Sequence, residues 1–183
     1  VESDGTVWDP VSALSDADRG VFFDRWDDLG YLNVPGPFYT GMTDNCWTGR
    51  LHAPHNVIYG GEYFAEYVFR QPRDAAEVAS LVLAAEADPF QGYASNGDDR
   101  WTPDAVRTWW HARHGVVESV SATLKALAPG DRHDDRDAAE GLREYLGYLQ
   151  TGLQTGLEAD LKAYVFRLET GRYPLPGERL PSL

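Results

Sequence analysis

A chain of 183 residues is the usual size of one domain and long enough to bury a core without disulfide or metal staples. Its hydrophobic fraction of 43% and aromatic fraction of 13% exclude a disordered chain. With 16 Lys and Arg against 29 Asp and Glu, a formal charge of -13, it repels phosphates and anionic headgroups, which argues against nucleic acid and membrane as partners.

The acidity is spread along the chain, with 9 acids against 3 bases over residues 1–50, 9 against 5 over 51–115 and 11 against 8 beyond, so no acidic tail accounts for it. The single cysteine, Cys46, cannot form an intrachain disulfide. No apolar run approaches the length of a membrane span, and no basic start precedes an apolar segment, so a cytoplasmic location is expected. Because the chain opens on Val1 rather than Met, a removed leader stays open.

Residues 1–14 read as an irregular N-terminal extension broken by Pro10. A helix is predicted over about 16–29: Ser15 is an N-cap with Asp18 three positions later, Val21, Phe22, Trp26 and Leu29 repeat near 3.6, and Gly30 follows as a C-cap. From residue 31 to 56 the prolines and glycines allow only short regular structure, and Phe38, Tyr39, Trp47 and Leu51 are available to pack a long aromatic loop. NVIY, then Gly60-Gly61, then EYFAEYVFR predict a β-hairpin. Asp74 caps a helix that runs to the residues before Pro89. Thr102-Pro103 opens another, expected to end at Gly115, with a further helical segment over 116–127. PGDRHDD is a charged connection. From about 135 to 170 an apolar stripe stays in phase (Ala138, Leu142, Leu146, Leu149, Leu153, Leu157, Leu161, Val165, Leu168), interrupted by glycines, which predicts two helices with a bend or break near 151–156, with one long helix as the alternative. Residues 173–183, with three prolines, read as an extended tail. The expected fold is α+β: one mostly helical domain over 1–183 with one short antiparallel hairpin or small sheet and a long C-terminal helical segment.

Candidate chemistry gathers in DNCWTGRLHAPH, residues 44–55. A nucleophilic Cys46 needs a base and a cation, for which His52, His55 and Arg50 are at hand, but the flanks match no nucleophile elbow. Cys46, His52, His55 and Asp44 are zinc-type ligands, yet Pro54 interrupts any helical spacing between the histidines. His111 and His114 share one helix face and would matter only if they met the first pair. Glu62 and Glu66 are expected on one strand face, and Asp98 and Asp99 precede a helix as turn residues. No phosphate loop or dinucleotide fingerprint is present in the sequence, so an enzyme has no firm anchor, and no cofactor is called for.

Recognition is the reading that remains. Loop aromatics in an acidic surround suit a protein-binding surface, because aromatics carry most hot-spot energy while charge sets encounter rate and partner choice. The expected contact set is Phe38, Tyr39, Trp47, Glu62, Glu66, Tyr93, Asp98, Asp99 and Trp101. The partner is a basic protein, in the manner of an immunity protein or antitoxin that occludes a toxin enzyme. Two alternatives stand beside it: a metal- or cysteine-dependent enzyme built on Cys46, His52 and His55, and an oligomeric scaffold joined through the C-terminal leucine stripe.

Overall fold

The structure, a computed structural model, describes residues 8–127, 132–150 and 156–183. Among these, six α-helices run Asp16–Arg19 (α1), Gly49–His52 (α2), Ala75–Ala87 (α3), Pro103–Leu127 (α4), His133–Gln150 (α5) and Leu157–Thr170 (α6). Four strands, Tyr39–Thr40 (β1), Val57–Gly60 (β2), Ala65–Val68 (β3) and Tyr93–Ala94 (β4), make two antiparallel pairs, β1 with β4 and β2 with β3. The fold is mostly helical α+β, as the sequence predicts.

The β2–β3 hairpin organises the rest because both its faces are buried. Side chains alternate across a strand. Ile58, Tyr67 and Phe69 therefore join the larger core with α4, α5 and α6, while Val57 and Val68 join Phe38, Tyr93 and the inner face of α3 in a second core. The hairpin is shared by the two cores and binds them into one unit. Its turn is not the expected two-residue Gly-Gly. Gly60 stays in the strand opposite Ala65, where any Cβ would strike Leu32, so residues 61–64 make the connection.

Three other expectations change. Only the first turn of the helix predicted over 16–29 forms as α-helix: the capping box between Ser15 and Asp18 is present, but the chain then turns away, Phe23 N–H donates to the Tyr93 carbonyl, and a separate 3-10 turn follows over Trp26–Asp28. Val21 and Phe22 pack on the second core, whereas Trp26 and Leu29 pack on the first. One straight helix cannot serve both. The helix from Pro103, capped by the Thr102 hydroxyl, runs through Gly115 to Leu127, because no atom crowds that glycine and Val116 and Val120 continue the buried face. The N-terminal stretch is also less loose than expected: Leu14 is buried against α3, and Asp9 caps a 3-10 turn over Pro10–Ala13.

The C-terminal stripe is legible as two helices. The expected break falls mainly on residues 151–155, outside the described residues, and Gly156, at φ 130°, leads into α6. PGDRHDD falls partly outside them as well. The tail is extended but held, since Arg172 pairs with Glu178 and Arg107 Nε donates to the Ser182 carbonyl. No helix among the described residues is long and apolar enough to cross a membrane.

Candidate functional site

The 44–55 loop is pinned at both ends. Asp88, at the end of α3, accepts N–H bonds from Asp44, Phe90 and Gly92 at 3.0, 3.2 and 2.6 Å, and Asp44 in turn accepts from the Cys46 N–H. At the other end the Arg50 side chain is only 2% exposed. Its guanidinium grips the Asp137 carboxylate of α5 through Nε (3.1 Å) and Nη2 (3.2 Å), and Nη1 donates to the Pro54 and Val57 carbonyls. Gly141 leaves it room: a Cβ there would sit 2.4 Å from Nη1. All three nitrogens of this guanidinium donate into one network, so Arg50 is a latch and gives no charge to Cys46.

Beneath the loop lies Glu66, with no solvent exposure at all. Its Oε1 accepts the Gly49 N–H at 2.6 Å and its Oε2 the Tyr93 hydroxyl at 2.5 Å. Burial, opposed by these two hydrogen bonds and reinforced by the Asp44 and Asp88 charges, pushes its carboxyl up to about 7. The expected pairing of Glu62 with Glu66 on one strand face is thereby corrected. Glu62 sits in the 61–64 turn, exposed, while Glu66 points inward on the Val68 face.

The cysteine and metal alternatives do not assemble. Cys46 is exposed, and its thiol is raised by its hydrogen bond to Asp44 and by the negative charges of Asp44, Glu66 and Asp88, the reverse of nucleophile activation. His52, His55, His111 and His114 are all exposed, and no cluster of three or more ligand-type side chains exists among the described residues. Of the leucine stripe, Ala138, Leu142, Leu149, Leu157, Leu161 and Val165 are buried in the larger core, Leu146 and Leu168 are partly buried against it, and Leu153 lies outside the described residues.

The predicted contact set divides. Phe38, Tyr39, Tyr93 and Trp101 are buried core residues. Phe38 meets Phe22 edge-on at 5.4 Å, Trp101 meets Trp26 at 5.1 Å, and the Tyr39 hydroxyl donates to Asn96. Tyr39 is accordingly pushed up to about 12 by burial. Asp98 is committed to Arg167 at 3.2 Å, and Asp99 is exposed beside it. Only Trp47, Glu62 and Asp99 keep accessible surface suited to a contact.

Two of these converge. Trp47 stacks on Tyr59 with ring centroids 5.2 Å apart and meets Phe64 of the hairpin turn at 5.7 Å. Both Trp47 (φ 63°) and Phe64 (φ 53°) hold left-handed backbone, which costs a non-glycine residue about 1–3 kcal/mol and persists only when the surroundings enforce it. Gln91 is the one other such residue among those described. Beside the pair in the hairpin turn, Glu62 is exposed and Tyr63 is 72% exposed. No protein-family model matches this chain, and neither a curated protein nor a solved structure does. Sequence reasoning misses Tyr63 and Phe64 because the residues after Gly60-Gly61 read as strand. A turn of four residues, rather than two, is the signal that places them at the tip.

Proposed function

We propose that this protein is an acidic binding module that occludes a basic protein partner, in the manner of an immunity protein or antitoxin, working in the cytoplasm. Its contact surface in this reading is the hairpin tip, with Trp47, Tyr63 and Phe64 as anchors and Glu62 as the charged flank. The observation that carries it is the pair of aromatics held in left-handed backbone at a surface where Tyr63 stands out in solvent. Strain of that kind concentrates at ligand-contacting segments, and rigid aromatics lose little entropy on docking. The net charge of -13 supports fast, salt-sensitive encounter with a basic surface. Nucleic acid and membrane have no place in it.

Pull-down from the native organism at low and high salt, with wild type and a Glu62→Lys/Tyr63→Ala variant, changed at two exposed side chains, side by side, tests this. The reading expects one basic protein at equal stoichiometry, weakened by salt and lost with the variant while its melting curve stays near wild type. Retention of that partner by the variant removes the tip from the contact. Failure of the wild type to retain any basic protein sinks the module itself.

A further inference from the structure

A separate cleft of about 270 Å³ opens between the N-terminal 3-10 turn, the proline-rich 34–37 segment, residues 71–73 and helices α5 and α6. Its walls are apolar and ring-bearing: Trp8, Pro35, Pro37 and Pro72 face Leu161 and Tyr164. Stiff prolyl and aromatic walls keep such a space open, because they have few rotamers with which to collapse into it.

One charged pair stands at the rim. Arg73 Nη2 lies 3.5 Å from Asp160 Oδ2, with the two side chains 54% and 46% exposed. The same Oδ2 accepts the Tyr148 hydroxyl at 2.6 Å. Among the described residues Asp160 Oδ1 accepts no hydrogen bond, and the guanidinium donates only this one long bond; the Arg73 backbone N–H goes to Glu77. Both ions therefore have capacity left, a guanidinium fork on one side and a carboxylate oxygen on the other.

We propose that this cleft binds a free α-amino acid with a large apolar, ring-bearing side chain. The ligand's carboxylate takes the Arg73 fork, its ammonium takes Asp160 Oδ1, and the side chain enters between the prolines and aromatics. The charge pattern selects the zwitterion. A ligand with a single charge gains from one rim ion and is repelled by the other, which sits 3.5 Å away, so the two terms largely cancel. An α-amino acid carries both charges on one carbon, at the spacing of the rim pair. A residue within a peptide lacks one or both of them and is excluded.

The test is a titration of isotope-labelled full-length protein, followed by amide NMR, with L-phenylalanine, phenethylamine, 3-phenylpropionate and L-alanine. L-Phenylalanine is expected to give saturable shifts confined to amides that line the cleft, such as those of Trp8, Val34, Gln71, Arg73, Asp160 and Leu161. Each of the other three, lacking one charge or the ring, is expected to bind about tenfold more weakly or worse. Arg73→Gln, a change at an exposed side chain, is expected to bring L-phenylalanine down to the level of phenethylamine, and Ala163→Trp, which fills the cleft, to abolish the shifts. Equal binding of phenethylamine or phenylpropionate overturns the zwitterion, and absence of saturable shifts with L-phenylalanine and L-tryptophan overturns the site. The titration reads this cleft alone and does not depend on whether a protein docks at the hairpin tip.

Discussion

Replacing Glu66 with glutamine is expected to change how stability depends on pH. In the folded protein its carboxyl is pushed up to about 7 by burial, against 4.5 for the ordinary side chain. Between those values the folded chain holds a proton that the unfolded chain has released, so folding is favoured by acid and loses that advantage as pH rises through 7. A difference of about 2.5 pH units corresponds to about 3 kcal/mol, present in full below pH 4.5 and gone above pH 7. The substituted amide does not titrate. Its carbonyl can accept from Gly49, and its NH2 group can donate to the Tyr93 oxygen, so both wild-type partners keep a bond. Urea unfolding of both proteins from pH 4.5 to pH 8 measures the effect, and the difference between them cancels every other titrating group, including Glu178, which Arg172 holds down to about 2. The variant should gain on wild type by about 3 kcal/mol from the acid end to the alkaline end. Parallel curves would refute the reasoning, since they would mean that Glu66 ionises in the fold as readily as in water.

Asp137→Asn leaves the Arg50 guanidinium buried beside a neutral partner and is expected to cost about 2–3 kcal/mol, below the figure for a fully buried pair because Asp137 is part-exposed; chemical denaturation checks it. Gly141→Ala gains about 1 kcal/mol of helix propensity and loses about 2 to the clash with Arg50, so a net loss of about 1 kcal/mol is expected, and a stabilised variant would contradict the close approach. Gln91→Gly relieves left-handed strain of about 1–2 kcal/mol against a backbone-entropy cost of about 0.5–1, and thermal melting should show a small gain. Cys46 is expected to react with iodoacetamide at pH 8 more slowly than a cysteine in an unstructured peptide, and Asp44→Asn should speed it, because Asp44 is the main cause of the raised thiol.

The legible elements are those whose local signals agree with their packing. Asp74 caps α3 by accepting the Glu77 N–H, and the apolar face that follows is buried as its spacing predicts. The helix expected over 16–29 stops after one turn because Val21, Phe22, Trp26 and Leu29 match a helical period while serving two different cores, a fact of the tertiary fold alone. Gly115 reads as a stop, but nothing crowds it and the packing on either side outweighs its cost of about 1 kcal/mol. The β1–β4 pair, two residues long in segments full of proline and glycine, carries no periodic signal. At the site, an aromatic residue in a loop reads alike whether it fills the core, as Tyr39 and Tyr93 do, or keeps part of its surface, as Trp47 does. Nor does any residue type announce left-handed backbone at Trp47 and Phe64, where glycine would have done so.

The Arg50 latch also sets a timetable for synthesis. It joins side chains 87 positions apart, and the inner face of the hairpin is covered largely by helices that follow it in the chain. A nascent chain that has completed residue 70 must wait about 4–16 s, at about 5–20 residues per second, before α5 has been made. During that interval Ile58, Tyr67 and Phe69 form an uncovered sticky strand pair, and Arg50 has the Pro54 and Val57 carbonyls but not the Asp137 carboxylate. Folding is thus held back until the C-terminal half arrives, and a prematurely ended chain is left as a target for chaperones and proteases rather than as a smaller working unit.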